Sequence, residues 1–160
     1  MSTNSEVPVQ VRRIVLEPTD TVGALPSAGY AGGFEFSDPA PGLRSPEQWA
    51  RAGWEQAPRL VRGFLRFAWR AGLGLRMGPK DSPTHVLGWA LVSSTEQAAV
   101  LEARSWLLTA RNVVELRGTR VRWTTFVRFD RRPAAALWSL AVPVHHALMS
   151  RLLRRAAQDG

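Results

Sequence analysis

Residues 133–158 read PAAALWSLAVPVHHALMSRLLRRAAQ, and this stretch decides the architecture. Leu137, Leu140, Ala141, Val144, Leu148 and Leu152 recur every three or four residues, so they share one face of a helix. Trp138, Val142, His145, Met149 and Leu153 form a second apolar row beside it. Two adjacent rows leave little polar surface in the first half, the pattern of a helix enclosed by other elements rather than laid on a surface. Pro133 suits a first helical turn, where no N–H is needed, whereas Pro143 removes the bond to the carbonyl of Ser139 and predicts a bend. Arg151, Arg154 and Arg155 put cations near the negative end of the helix dipole. The apolar run 134–149 is shorter than the roughly 20 residues needed to cross a bilayer and contains Ser139, Pro143, His145 and His146, so no transmembrane segment is expected.

Immediately upstream, segments 85–93, 98–104, 108–117 and 120–129 read as four consecutive antiparallel strands. Gly118-Thr119 suits a two-residue turn with positive φ at the glycine, and that turn sets the register of the last hairpin. Leu116 then faces Val121, Glu115 faces Arg122, Val114 faces Trp123, Asn112 faces Thr125 and Ala110 faces Val127. One side of this ribbon is apolar except for Asn112 and Thr125, while the other carries Glu115, Arg111, Arg117, Arg120, Arg122 and Arg128 and is expected in solvent. An inward Asn112 and Thr125 require partners, because an unsatisfied buried amide or hydroxyl costs about 1–3 kcal/mol. Each other, a water or a ligand can supply them. The chain must also reverse near Ser105-Trp106-Leu107, which shows no turn residue; a hairpin tip there would expose Trp106 and Leu107.

The amino-terminal half alternates loops with short elements. Segment 9–16 has the composition of an edge strand, and Gly23, Pro26, Gly29, Gly32 and Gly33 precede a short strand at Phe34, Glu35 and Phe36. In Ser45-Pro46-Glu47-Gln48, Ser45 can cap, Pro46 takes the first helical position and Gln48 can close a capping box. Trp49, Ala52 and Gly53 form the inner face of that helix, and Pro58 separates it from the next. There Leu60, Phe64, Phe67 and Ala71 share a face expected to pack inward, while Arg59, Arg62, Arg66 and Arg70 line another. This arginine row either lies in solvent or meets phosphate groups. Gly72-Leu73-Gly74 reads as a helix end and 73–77 as a short strand. The order of strand, two helices, antiparallel strands and long helix makes the chain α+β.

The 160 residues suffice for one domain with a substantial core, expected over 9–158 behind a loose tail, 1–8. Cysteine is absent, which excludes disulfides and thiolate metal sites, and the polar start is unlike a signal peptide, so a cytoplasmic protein is expected. The net charge of +8 comes almost wholly from arginine, with Lys80 the single lysine. Seven tryptophans are numerous for this length and suit either a core or the lining of a pocket.

The order of elements resembles the helix-grip fold of the SRPBCC superfamily, which includes START lipid-transfer domains, birch-pollen-allergen-like proteins and polyketide cyclases. Ser45-Pro46-Glu47-Gln48-Trp49, His85-Val86-Leu87-Gly88-Trp89, Leu101-Glu102-Ala103-Arg104-Ser105, Thr124-Thr125-Phe126-Val127-Arg128 and Pro143-Val144-His145 look like a DUF2867-type bacterial branch, across roughly 30–157. The resemblance implies a curved antiparallel sheet wrapped around the carboxy-terminal helix, with an apolar cavity between them. It implies no catalytic set, because none is shared across that superfamily. Where the branch carries acidic residues near the first core strand, this chain has Gly29, Gly32 and Gly33 around Tyr30.

No nucleophile elbow, phosphate-binding loop or dinucleotide fingerprint occurs. His145 and His146 are adjacent and point to different sides of a helix, so they do not form a metal pair, and neither metal nor cofactor is expected. His85, at a strand start, is expected to be exposed. Glu102 and Glu115 fall on solvent-side positions, and the side of Glu35 is open. Binding of a small hydrophobic or aromatic molecule is the leading reading, with Trp89, Asn112, Trp123, Thr125, Trp138, Val142 and His145 as candidate ligand-binding residues. A cyclase-like or hydrolytic enzyme would need His145 or Glu35 inside the same cavity. A basic surface module would use the arginine row on anionic lipid at the membrane periphery or on nucleic acid, the less expected partner of the two.

Overall fold

A computed structural model describes residues 9–16 and 22–159; the expected tail lies outside the described residues. Eight strands form one antiparallel sheet in the order β1-β2-β8-β7-β6-β5-β4-β3. They are β1 (Arg12–Ile14), β2 (Tyr30–Ser37), β3 (Asp81–Ser82), β4 (His85–Val86), β5 (Trp89–Ser94), β6 (Ala98–Arg104), β7 (Leu108–Arg117) and β8 (Arg120–Phe129). Helices α1 (Pro46–Trp54) and α2 (Arg59–Phe67) follow β2, and α3 (Arg132–Gln158) closes the chain. The α+β class and the element order therefore stand as expected.

The hairpin β7–β8 has the register read from Gly118-Thr119, with Asn112 opposite Thr125 and Val114 opposite Trp123, and Gly118 has φ 61°. Alternation sends Val114, Val121, Trp123 and Val127 to the helix side, where α1 and α3 cover them. Ser45 caps α1 as expected: its Oγ accepts from Gln48 N at 3.2 Å, and its own N–H donates to Gln48 Oε1 at 2.8 Å. Helix α1 lies so close to the sheet that a Cβ on Gly53 would stand 3.0 Å from the Trp123 ring, so glycine sets the depth at which α1 packs.

Several expectations are corrected. Segment 85–93 is not one strand, because Leu87 and Gly88 both take positive φ (48° and 93°) and make a tight turn between β4 and β5. Segment 73–77 is no strand; α2 runs on through a π-helical turn, Ala68–Gly72, and the chain then touches β6 through Arg76 N–H to Arg104 O at 2.9 Å. The reversal after β6 does have a turn residue: Ser105 Oγ accepts the N–H groups of Leu107 and Leu108, both at 3.1 Å. It leaves Trp106 exposed but turns Leu107 into the core.

The sheet's other face is not simply solvated. Leu25, Val100, Val113 and Phe126 form a second, smaller core there, under the segment that follows Val22. Glu102 and Glu115 lie on this outer side as expected, yet both are buried. Glu102 is gripped by Arg104 at 2.7 Å and Arg111 at 2.6 Å. Arg122, the cross-strand neighbour of Glu115, has its ion pair with Glu35 on β2 at 3.0 Å, and Glu35 also draws Arg120 at 2.7 Å. Burial holds the Glu115 carboxyl above its usual range, whereas for Glu35 and Glu102 the arginine hydrogen bonds outweigh burial and hold the carboxyl below it.

Two faces were misjudged by periodicity. In α2 the side chain facing the core is Leu65, with Val61 partly buried, while Leu60, Phe64, Phe67 and Ala71 are exposed. In α3 the buried anchor is the second half, through Met149, Leu152, Leu153, Ala156 and Ala157. The first half is not enclosed: Leu140 and Val144 are exposed. The helix stays continuous through Pro143, whose missing N–H is accommodated at an exposed position.

Candidate functional site

Three elements leave a gap where they meet. The first half of α3 supplies Leu137, Trp138, Ala141 and His145, α2 with its π turn supplies Phe64, Ala68 and Trp69, and the strand floor supplies Trp89, Asn112 and Thr125. The gap is a cavity of about 320 Å³, partly open to solvent, and none of its lining side chains carries a formal charge at neutral pH. Its back wall is a stack of indoles. Trp54 lies 4.9 Å from Trp69 and 5.3 Å from Trp89 between ring centroids, and 5.0 Å from Trp123. Rings this large, braced against one another, cannot collapse into the remaining space. That rigidity is a physical reason for the void.

Of the candidate residues, Trp89, Asn112, Thr125, Trp138 and His145 line the cavity. Trp123 and Val142 do not. Trp123 is 1% exposed and sits behind Asn112, pressed on Gly53 of α1. Val142 falls on the opposite flank of α3, along a shallow groove with Phe34 and His146. Sequence reasoning missed Trp54, Phe64 and Trp69, which the α1–α2 region brings in; the available signal was the indole spacing at positions 54 and 69, on helices already recognised.

Asn112 organises the polar part of the floor. Trp123 Nε1 donates to its Oδ1 at 2.9 Å and Thr125 Oγ1 donates to the same oxygen at 2.6 Å, so mutual satisfaction explains Asn112 and Thr125 without a ligand. The amide is thereby oriented with Oδ1 committed to protein, and its NH2 makes no hydrogen bond among the described residues. His145 packs its ring 5.2 Å from that of Trp138 and likewise makes no hydrogen bond. Burial, with the neighbouring His146 in support, pushes the His145 imidazole down to about 4, so it is neutral at pH 7.

The adjacent histidine is held differently. Arg13 Nη1 lies 3.0 Å from His146 Nδ1, and because a guanidinium only donates, Nδ1 accepts and Nε2 carries the proton toward Tyr30 Oη at 2.8 Å. Tyr30 in turn meets Trp138 edge-on at 5.2 Å. This chain braces β1, β2 and α3 together outside the cavity. Its histidine and His145 therefore serve opposite flanks of one helix, as their adjacency required.

His85 is partly buried rather than exposed, its ring lying against Gly78. Glu35 belongs to the outer-face arginine cluster and does not approach the cavity. Among the described residues, no group of three His, Asp or Glu is placed to hold a metal ion, and no helix is long and apolar enough to cross a membrane. The chain matches no family model, no curated protein and no solved structure.

Proposed function

We propose that the protein binds a small, neutral, apolar or aromatic molecule between α3 and the sheet, in the manner of a helix-grip domain. The observation that carries this reading is the indole-walled cavity whose lining leaves the Asn112 NH2, the His145 ring and the indole N–H groups of Trp54, Trp89 and Trp138 without a hydrogen-bond partner among the described residues. An apolar ligand replaces water on the indole faces, and a hydrogen-bonding substituent meets the Asn112 NH2. A charged ligand is disfavoured because the lining offers no counter-charge, and an unpaired ion in such a site is expensive.

An enzyme using the same cavity is the weaker reading. Glu35, Glu102 and Glu115 all lie on the far face of the sheet, which leaves His145 as the one titratable group in the lining. A ring held to about 4 is a weak base at neutral pH. The test uses N-phenyl-1-naphthylamine, a neutral fluorophore, excited through tryptophan. Wild-type protein is expected to bind it with energy transfer from the indole wall, and Ala141→Phe, which fills the cavity from α3, to weaken binding by at least about tenfold. Equal binding by Ala141→Phe, or no binding by the wild type, would overturn the proposal. Native mass spectrometry of the purified protein then identifies any molecule carried along.

A further inference from the structure

The cavity opens between two helix faces that are exposed among the described residues. On α2, Leu60 is 89% exposed, Phe67 68% and Phe64 49%; on α3, Leu140 is 79% exposed and Val144 53%. Phe64, Leu140 and Val144 also line the cavity, so the exposed apolar surface is its rim. Exposed apolar residues gathered around one opening differ from the scattered kind that any surface carries.

The charge around the rim is of one sign. Arg59, Arg62, Arg66 and Arg70 lie about a third of a turn from the apolar row of α2. Among the described residues none of the four makes an ion pair, whereas Arg12, Arg104, Arg111, Arg120 and Arg122 on the sheet's outer face share Glu35 and Glu102. No acidic residue occurs from 56 to 80 or from 131 to 158, so both helices that flank the opening lack a carboxylate. Positive charge is thus left uncompensated beside the exposed apolar residues of the rim.

We infer that the α2–α3 rim docks on an anionic lipid bilayer, with Leu60, Phe64, Phe67 and Leu140 entering the acyl boundary and the exposed Arg59 and Arg70 meeting headgroup phosphates. Apolar side chains flanked by unpaired cations match such an interface in both respects. A nucleic acid would satisfy the arginines but leave the leucine and phenylalanine side chains against water. A second copy of the chain would cover the apolar row but bring two uncompensated arginine rows together. Docked in this way, the cavity mouth faces lipid, and an apolar molecule crosses between bilayer and protein without passing through bulk water. The docking does not depend on what the cavity holds.

Co-sedimentation with vesicles tests the inference. Full-length protein is expected to bind phosphatidylcholine vesicles containing phosphatidylglycerol, and to bind pure phosphatidylcholine far less. Leu60→Ser with Phe67→Ser is expected to weaken binding to the anionic vesicles by at least about tenfold. Both positions are exposed and neither lines the cavity, so this variant should keep the wild-type melting temperature and the wild-type affinity for N-phenyl-1-naphthylamine. Loss of vesicle binding with retained fluorophore binding separates this inference from the ligand proposal. Arg59→Gln with Arg70→Gln is expected to weaken anionic binding by about 10- to 30-fold while sparing the residual binding to neutral vesicles. Absence of wild-type binding to anionic vesicles at low salt would overturn the inference, as would undiminished binding by the serine variant. A wild-type dimer in light scattering that the serine variant reduces to monomer would reassign the face to self-association.

Discussion

Asn112 shows how one side chain can be structural and still leave chemistry to spare. Its Oδ1 is the acceptor for two buried donors, Trp123 Nε1 and Thr125 Oγ1, while its amide nitrogen stays unpartnered beside the cavity. Removing the acceptor strands both donors, whereas removing one donor strands nothing, so the two substitutions must differ in cost. Asn112→Ala is expected to lower stability by about 2–3 kcal/mol and Thr125→Val by about 1 kcal/mol or less, as read from urea denaturation midpoints. Similar losses for the two would show that the shared acceptor is not what holds the floor together. The pairing of these residues across β7 and β8 was legible in the chain, because a two-residue turn leaves no freedom of register. The partner of Arg122 was not. Glu115 is its cross-strand neighbour, but Glu35 on β2 is its neighbour on the other side, and strand order across the sheet lies outside local pattern.

At the scale of elements, helix starts and tight turns follow from neighbours in the chain. Ser45, Pro46 and Gln48 carry the start of α1 unaided, so Ser45→Ala is expected to cost about 1 kcal/mol in denaturant unfolding, with the slope unchanged. No change in midpoint would mean that α1 is held in place wholly by its packing on Trp123 and Leu153. The turn at Ser105 obeys the same local chemistry, since a serine hydroxyl accepting two following N–H groups is a known turn device. No glycine, proline or asparagine marks this turn in the sequence, and serine is too common outside turns to signal one alone. Helix α2 is a different case. Its three faces are arginine, Leu60–Phe64–Phe67, and Val61–Leu65, and two of the three are apolar. Periodicity says that a helix has an apolar face; it does not say which of two will find a partner.

At the scale of the whole molecule, Glu47 and Glu55 pair with Arg51 along α1, and the buried acids Glu35, Glu102 and Glu115 lie on the outer face of the sheet. Glu35 and Glu102 neutralise the outer arginines, and this division leaves the cavity uncharged and its rim cationic. A pH dependence with two stages follows. The His145 imidazole, held to about 4 when folded against about 6.5 when unfolded, stays neutral while the unfolded chain takes up a proton, so stability falls as pH drops between these values. His146, also held below its usual value by burial and Arg13, acts in the same direction. Glu35 and Glu102, held below the usual carboxylate range, contribute stability that is present above their unfolded values and lost as pH falls through the folded ones. Thermal melts from pH 7 to pH 3 should show both stages, the first worth on the order of 1–3 kcal/mol with allowance for solvent reaching His145 through the cavity. His145→Leu should flatten the first stage and leave the second. A variant that follows the wild-type curve throughout would place the His145 titration near its unperturbed value.

The chain by itself determined the α+β class, the capped start of α1, the β7–β8 register, the inward Asn112–Thr125 pair and the long terminal helix. Each of these rests on interactions between residues close in sequence, where spacing and turn chemistry leave a single solution. Only the tertiary structure decided which apolar face of α2 is buried, that the first half of α3 borders an opening, that Trp123 and Val142 stand outside the cavity and that the outer face carries its own small core. Those outcomes depend on surfaces brought together from distant parts of the chain. A void in particular belongs to no residue: it is the space that braced indoles on four elements cannot close.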